Sequence, residues 1–89
     1  MARKAVIVFK PKPGYSEEAR RRNTYGVVRI RAVLTSDGKV KNIVVVYGLP
    51  DGLTERAARA ARRILFFPAE KDGRAVSQYV TLEYNFNIY

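Results

Sequence analysis

The sequence predicts an α+β sandwich in which one helical layer lies on an antiparallel sheet. Three observations predict it. Apolar and polar residues alternate with a period of two from Val28 to Leu34 and again from Val80 to Ile88. Between these stretches the period lengthens to that of a helix, and Leu53, Ala57, Ala60, Ala61 and Ile64 fall on one face. Turn signals at Asp37-Gly38 and Asp72-Gly73 and breaks at Pro50 and Pro68 separate the periodic stretches. Segregated strands and helices of this kind pack as a helical layer on a sheet.

Each element has its own local cause. Ala5 to Phe9 is apolar and β-branched and reads as a short strand. Pro11, Pro13 and Gly14 end it. Ser16 reads as an N-cap, with Glu17 and Glu18 in the first helical turn and Arg20, Arg21 and Arg22 in the last, both placements matching the helix dipole. A helix of about two turns cannot persist alone and must lean on the remaining fold. Val28, Ile30, Ala32 and Leu34 alternate with Arg29 and Arg31 and read as a half-buried strand. Asp37-Gly38 predicts a type I′ hairpin turn, returning into a strand over Val40 to Tyr47. The unbroken apolar run Ile43-Val44-Val45-Val46 predicts partial cover on both faces of that strand. Asp51 is expected to cap the second helix. There the alanines permit close approach to a sheet, and Arg56, Arg59, Arg62 and Arg63 lie away from the apolar face. In the last strand Val80, Leu82, Tyr84, Phe86 and Ile88 point one way, and Tyr79, Thr81, Glu83, Asn85 and Asn87 the other. Its apolar face is expected to pack on the alanine-rich helix.

The chain has 89 residues, enough for one domain. The expected organisation is a single domain over residues 1–89, with an N-terminal strand over 4–10 and a core over 11–89. The 47% hydrophobic and 28% charged residues are ordinary for a folded domain. Seventeen Lys and Arg against 8 Asp and Glu give +9, which favours acidic partners, nucleic acid or anionic membrane. No apolar run approaches the roughly 18 residues of a membrane span.

The residue inventory argues against catalysis. The chain contains neither Cys nor His, which removes the usual nucleophile, base and metal-site chemistry, so no cofactor or metal is expected. Glu17, Glu18, Asp37, Asp51, Glu55, Glu70 and Asp72 fall at turns, helix starts or the loop after the second helix, where carboxylates cap and solvate. Glu83 stands alone on a strand face with no second carboxylate to tune it.

Nucleic-acid binding is one rival, because the charge and the order of elements would permit an RNA-recognition sandwich. Three observations oppose it. The strand at Lys41–Gly48 lacks base-stacking aromatic spacing; Tyr84 and Phe86 belong to the core-facing series; the basic residues are scattered and absent from the last strand. A second rival is a structural dimer pairing its terminal strands.

The feature that best predicts function is the long terminal strand. At the edge of a small sheet it offers unpaired N–H and C=O groups to which a peptide adds as a further strand. Six guest residues would form about five hydrogen bonds at ~0.5–1.5 kcal/mol each, against an ordering cost of ~1–2 kcal/mol per residue. Backbone pairing alone does not win. Side chains such as Tyr79 and Tyr89 must supply the remainder.

These residues also carry a family resemblance. Lys12-Pro13-Gly14-Tyr15-Ser16-Glu17-Glu18-Ala19-Arg20 resembles the P-x-Y-x-x-x-A-R opening of the TonB C-terminal domain family. Gly26-Val27-Val28 resembles its G-x-V strand entry, and Asp37-Gly38-Lys39-Val40 with Asn42-Ile43 its D-G-x-V-x-x-V hairpin. Gly52-Leu53-Thr54-Glu55 with Ala57 is similar to G-L-x-x-x-A. Ile64-Leu65-Phe66-Phe67-Pro68-Ala69 resembles the F-x-P-A exit from the long helix, followed by Asp72-Gly73, and Tyr84-Asn85-Phe86 resembles the final strand. No single motif is specific; six in order and spacing, from Pro11 to Tyr89, are.

The resemblance implies an antiparallel sheet of three to four strands with two helices packed on one face, an architecture shared with TolA-type domains. It implies a periplasmic module tethered to the inner membrane, driven by an ExbB/ExbD-type complex. It implies capture of the TonB box of an outer-membrane transporter as a strand added beside Val76 to Ile88. Ser77, Gln78, Tyr79, Val80, Thr81, Leu82, Glu83 and Asn85 are the expected peptide-binding edge. The family's membrane anchor and proline-rich spacer are not among these residues, so a truncated piece or an unusual free domain is expected. The N-terminal strand departs from the motif set. It is expected either to cover the edge or to exchange between protomers in a homodimer.

Overall fold

The computed structural model describes residues 2–87. Their element order is β1 (Ala2–Arg3), β2 (Val6–Phe9), α1 (Glu17–Arg21), β3 (Gly26–Leu34), β4 (Val40–Tyr47), α2 (Leu53–Ala61), β5 (Leu65–Phe67), β6 (Ala69–Lys71), β7 (Arg74–Val76) and β8 (Gln78–Phe86). The main sheet is antiparallel, in the order β4-β3-β8. The strands β1-β6-β7 form a second small sheet, and β2-β5 a two-stranded ribbon. The architecture is α+β with antiparallel sheets and two helices, as the periodicity predicts.

The core lies between the main sheet and the helices. Val28, Ile30 and Ala32 of β3 and Leu82, Tyr84 and Phe86 of β8 pack against Leu53, Ala57, Ala60, Ala61 and Ile64, with Ala19 of α1 completing the cluster. The alanines do what their size allows: α2 approaches all three strands of the sheet. The short α1 is held at its start by Ser16, whose Oγ accepts from the Ala19 N–H at 3.0 Å and donates to the Asp51 carbonyl at 2.6 Å. One hydroxyl thereby caps α1 and ties it to the turn before α2.

Four local expectations are corrected. Asp51 does not cap α2. The N-cap is Gly52, in the left-handed region, and no side chain bonds there. Asp51 lies in a turn with positive φ, and its nearly buried carboxylate serves the end of α1, accepting from Thr24 Oγ1 at 2.5 Å and pairing with Arg22 at 3.4 Å. The Asp37-Gly38 turn is not type I′, because only Gly38 has positive φ. Thr35 N–H donates to Lys39 O at 2.8 Å and Gly38 N–H to Thr35 O at 3.1 Å, which closes a three-residue loop with Gly38 in the left-handed position. The two-residue turn with both φ positive occurs instead at Asp72-Gly73, between β6 and β7.

The third correction concerns β4. It is largely uncovered, with Val44 57% and Tyr47 63% exposed. Two register shifts against β3, one beside left-handed Asn42, disrupt its alternation and explain the continuous apolar run. The fourth concerns the N-terminal segment. It does not pair with β8 but with the segment after α2: Ala2 faces Lys71, Arg3 faces Glu70, Val6 faces Phe67 and Ile7 faces Phe66.

Candidate functional site

β8 forms one margin of the main sheet. It is paired with β3 over its whole length, from Gly26↔Phe86 to Leu34↔Gln78, with no register shift. On its other side no strand pairs with it among the described residues. In an antiparallel ladder, main-chain groups of alternate residues face the partner and those between face away. The Glu83 carbonyl accepts from Lys10 Nζ at 2.7 Å, which identifies Glu83 as an outward residue. By the same alternation, the N–H and C=O groups of Tyr79, Thr81 and Asn85 face outward as well.

The side chains divide between the two faces. Val80, Leu82, Tyr84 and Phe86 point to the helices, and Gln78 is half-buried on the same side. Tyr79, Thr81, Glu83 and Asn85 are exposed on the open face, Tyr79 at 76%. Glu83 holds Arg29 of β3 through Nε at 2.8 Å and Nη2 at 2.6 Å, a cross-strand pair that stiffens the margin without burying charge. Of the eight expected edge residues, seven lie within β8. Ser77 lies just before it, where its Oγ accepts from the Ser36 N–H at 3.3 Å. The expected strand of Val76 to Ile88 is thus shorter, with Val76 in β7; Ile88 and Tyr89 lie outside the described residues.

Periodicity did not disclose the neighbours of this margin. The N-terminal segment runs beside β8 without joining its ladder. Ala5 N–H donates to Gln78 Oε1 at 2.8 Å, and Lys10 Nζ lies 4.6 Å from the centroid of the Tyr84 ring while bonding the Glu83 carbonyl. Beyond Lys10, the chain turns across the end of β8 and leaves a cavity of about 520 Å³ between Pro11, Tyr15, Glu83, Tyr84 and Phe86, among others. Tyr15 meets Phe86 edge-to-face at 5.7 Å and donates its hydroxyl to Thr24 O at 2.6 Å, which fixes the cavity wall. The Tyr84 hydroxyl is buried without a protein partner among the described residues, and burial pushes its pKa up to about 12. The signal available in sequence is the Pro11-Lys12-Pro13-Gly14-Tyr15 stretch, which by itself marks a strand stop and a family motif but not a neighbour of the last strand.

The arrangement suits recognition of an extended chain: a straight row of outward main-chain groups, an exposed aromatic at one end and a cavity with aromatic walls at the other. Among the described residues, no three His, Cys, Asp or Glu side chains gather to hold a metal.

Comparison with known proteins gives a consistent result. The family described as Gram-negative bacterial TonB protein C-terminal matches residues 11–88. Among solved structures, the solution NMR structure of the Pseudomonas aeruginosa TonB CTD is similar, with a TM-score of 0.75 and 26% sequence identity over 96% of this chain and 87% of that chain. No curated protein matches.

Proposed function

We propose, from the premise that the chain belongs to the Gram-negative bacterial TonB C-terminal family, that it works as the periplasmic end of an energy transducer and captures a transporter segment beside β8. The observation that carries this reading is the outer side of β8, along which the chain places no strand of its own among the described residues. The guest is the TonB box of an outer-membrane transporter, laid against the outward main-chain groups of Tyr79, Thr81, Glu83 and Asn85. Ser77, Gln78, Val80 and Leu82 complete the margin, their backbones setting its register.

Energetics define what the guest must supply. About five ladder bonds at ~0.5–1.5 kcal/mol do not offset an ordering cost of ~1–2 kcal/mol for each of six residues. Side-chain burial must provide the surplus, and the cavity walled by Tyr15 and Phe86, together with exposed Tyr79, is where it is available. Lys10 has to release the Glu83 carbonyl before the ladder is complete. Once formed, a ladder pulled along the strand direction loads its bonds together, so a complex of moderate affinity transmits tension. On this reading, the tension originates in an ExbB/ExbD-type complex at the inner membrane.

Titration of the labelled chain with a synthetic transporter N-terminal peptide tests the reading. Amide shifts concentrated over Gln78–Phe86, with slowed exchange at Tyr79, Thr81 and Asn85, are the expected result. Shifts centred on β4 or on α2 would overturn the capture site.

A further inference from the structure

Among the described residues the β2–β5 ribbon is bordered by no third strand, and its outer face is apolar. Phe66 turns inward and packs against the core, with Ile7 opposite it. Val6, Val8, Phe9, Leu65 and Phe67 are left between 51% and 64% exposed. The pairs Val6↔Phe67 and Phe9↔Leu65 are directly cross-strand, so these side chains form one patch rather than scattered positions. A patch of this kind marks an interaction surface.

Basic residues bracket the patch. Where the strands leave its Phe9–Leu65 end, the chain continues into Lys10 and Lys12 on one side and comes from Arg62 and Arg63 on the other. Lys12, Arg56, Arg59 and Arg63 line one shallow cavity of about 110 Å³ that has no carboxylate in its wall. The ion pairs among the described residues are Arg3–Glu70, Arg22–Asp51 and Arg29–Glu83, so these four cations belong to none of them. Lys4 and Lys71 stand at the opposite end of the ribbon.

We propose that this face docks on an anionic lipid bilayer, with Phe9, Leu65 and Phe67 entering the acyl boundary and the α2 arginines meeting headgroup phosphates. Charge complementarity selects the occupant. A second copy of the chain would bring a like-charged rim against this one at a net charge of +9, which opposes self-association here. A fluid array of phosphodiesters needs no matched shape and suits flexible Lys and Arg side chains around an apolar patch. Each cation held near such a surface strengthens attachment roughly fivefold. The proposal is independent of strand capture, because neither the apolar patch nor Arg56, Arg59 and Arg63 belongs to the β8 margin or to the cavity at its end.

Cosedimentation of the chain with vesicles of phosphatidylglycerol and phosphatidylcholine (about 3:7) or of phosphatidylcholine alone tests it, with the double variants F9S/F67S and R59Q/R63Q beside the parent. The expected result is attachment to the anionic vesicles only, weakened at least tenfold by each double variant. Thermal melts and the peptide titration serve as folding controls and should be unchanged, since all four side chains are exposed. Three results would overturn the proposal: no attachment to anionic vesicles, attachment that F9S/F67S leaves intact, or sedimentation as a dimer that F9S/F67S dissolves. Displacement from vesicles by poly-glutamate, with poly-glutamate binding weakened in R59Q/R63Q and kept in F9S/F67S, would instead assign the basic rim to an acidic protein and also overturn it.

Discussion

Tyr84 shows how one residue serves the core and the margin together. Its ring completes the packing between β8 and the helices, yet the hydroxyl it brings inside has no protein partner among the described residues. An unsatisfied buried hydroxyl costs ~1–3 kcal/mol. Tyr84→Phe is therefore expected to leave stability unchanged or raise it by about 1 kcal/mol in urea unfolding; a loss of several kcal/mol would mean the hydroxyl is bonded. The raised pKa has a signed consequence. Below pH 10 the phenol is neutral folded and unfolded, and its contribution is fully present. As pH rises from 10 towards about 12, only the unfolded chain ionises readily, so stability falls across that window. Urea midpoints at pH 9 and pH 11.5 should show the fall in the parent, reduced in Tyr84→Phe. Lys10 sits beside the same ring and acts in the opposite sense on binding, because its ammonium holds the Glu83 carbonyl that a guest strand needs. Releasing a bond of ~0.5–1.5 kcal/mol predicts that Lys10→Met binds transporter peptide about two- to tenfold more tightly by calorimetry. Weaker binding would show that Lys10 contacts the guest instead.

β8 is a strand whose two sides do different work, and proline distinguishes them. On the outward side a missing N–H costs the β3–β8 ladder nothing, whereas on the inward side it deletes a ladder bond and breaks the sheet. Thr81→Pro is expected to keep a cooperative melt and lose transporter-peptide binding more than tenfold; Leu82→Pro is expected to unfold the chain. If Thr81→Pro unfolds and Leu82→Pro does not, the alternation assigned from Lys10 and Glu83 is reversed. This strand was legible in the sequence because nine residues give four full repeats of a two-residue period, and α2 because Leu53, Ala57, Ala60 and Ala61 keep one apolar face along its whole length. The three-residue strands β5, β6 and β7 were not, since Leu65–Phe67 is too short to establish any period. Local rules also misplaced Asp51. Cap preference placed it on α2, but its carboxylate is claimed by Thr24 and Arg22, more than 25 residues earlier in the chain. The candidate edge was named from one amphipathic strand. Lys10 and Tyr15 beside it were not, because no spacing rule connects them to a strand some 70 residues away.

At the scale of the whole molecule, the described chain is long rather than round. It measures 50 × 20 × 16 Å, with a radius of gyration of 14.6 Å, where a compact chain of this length would have about 12 Å. β7 and β8 run almost end to end from Arg74 to Phe86, and at ~3.3 Å per residue this run alone spans roughly 43 Å. The N-terminal arm follows the other branch of the β6–β7 hairpin, pairing with β6 and then β5, and none of Val6–Phe9 belongs to the core cluster or packs against it. Such an arm is held on one side only, by two short ladders, whereas β3 is held on both sides and buried against α2. Local stability follows buried contact, so the arm should open without the sheet. Native-state hydrogen exchange is expected to rank the amides of Val6–Phe9 at least roughly a hundredfold faster than those of Val28 and Ile30 after correction for intrinsic rates. Opening of the arm draws Lys10 away from Glu83, so the species that frees this carbonyl is also the one that exchanges. If the arm and β3 exchange at a common rate, the chain unfolds as one unit and the margin is uncovered only by local motion of the Lys10 side chain.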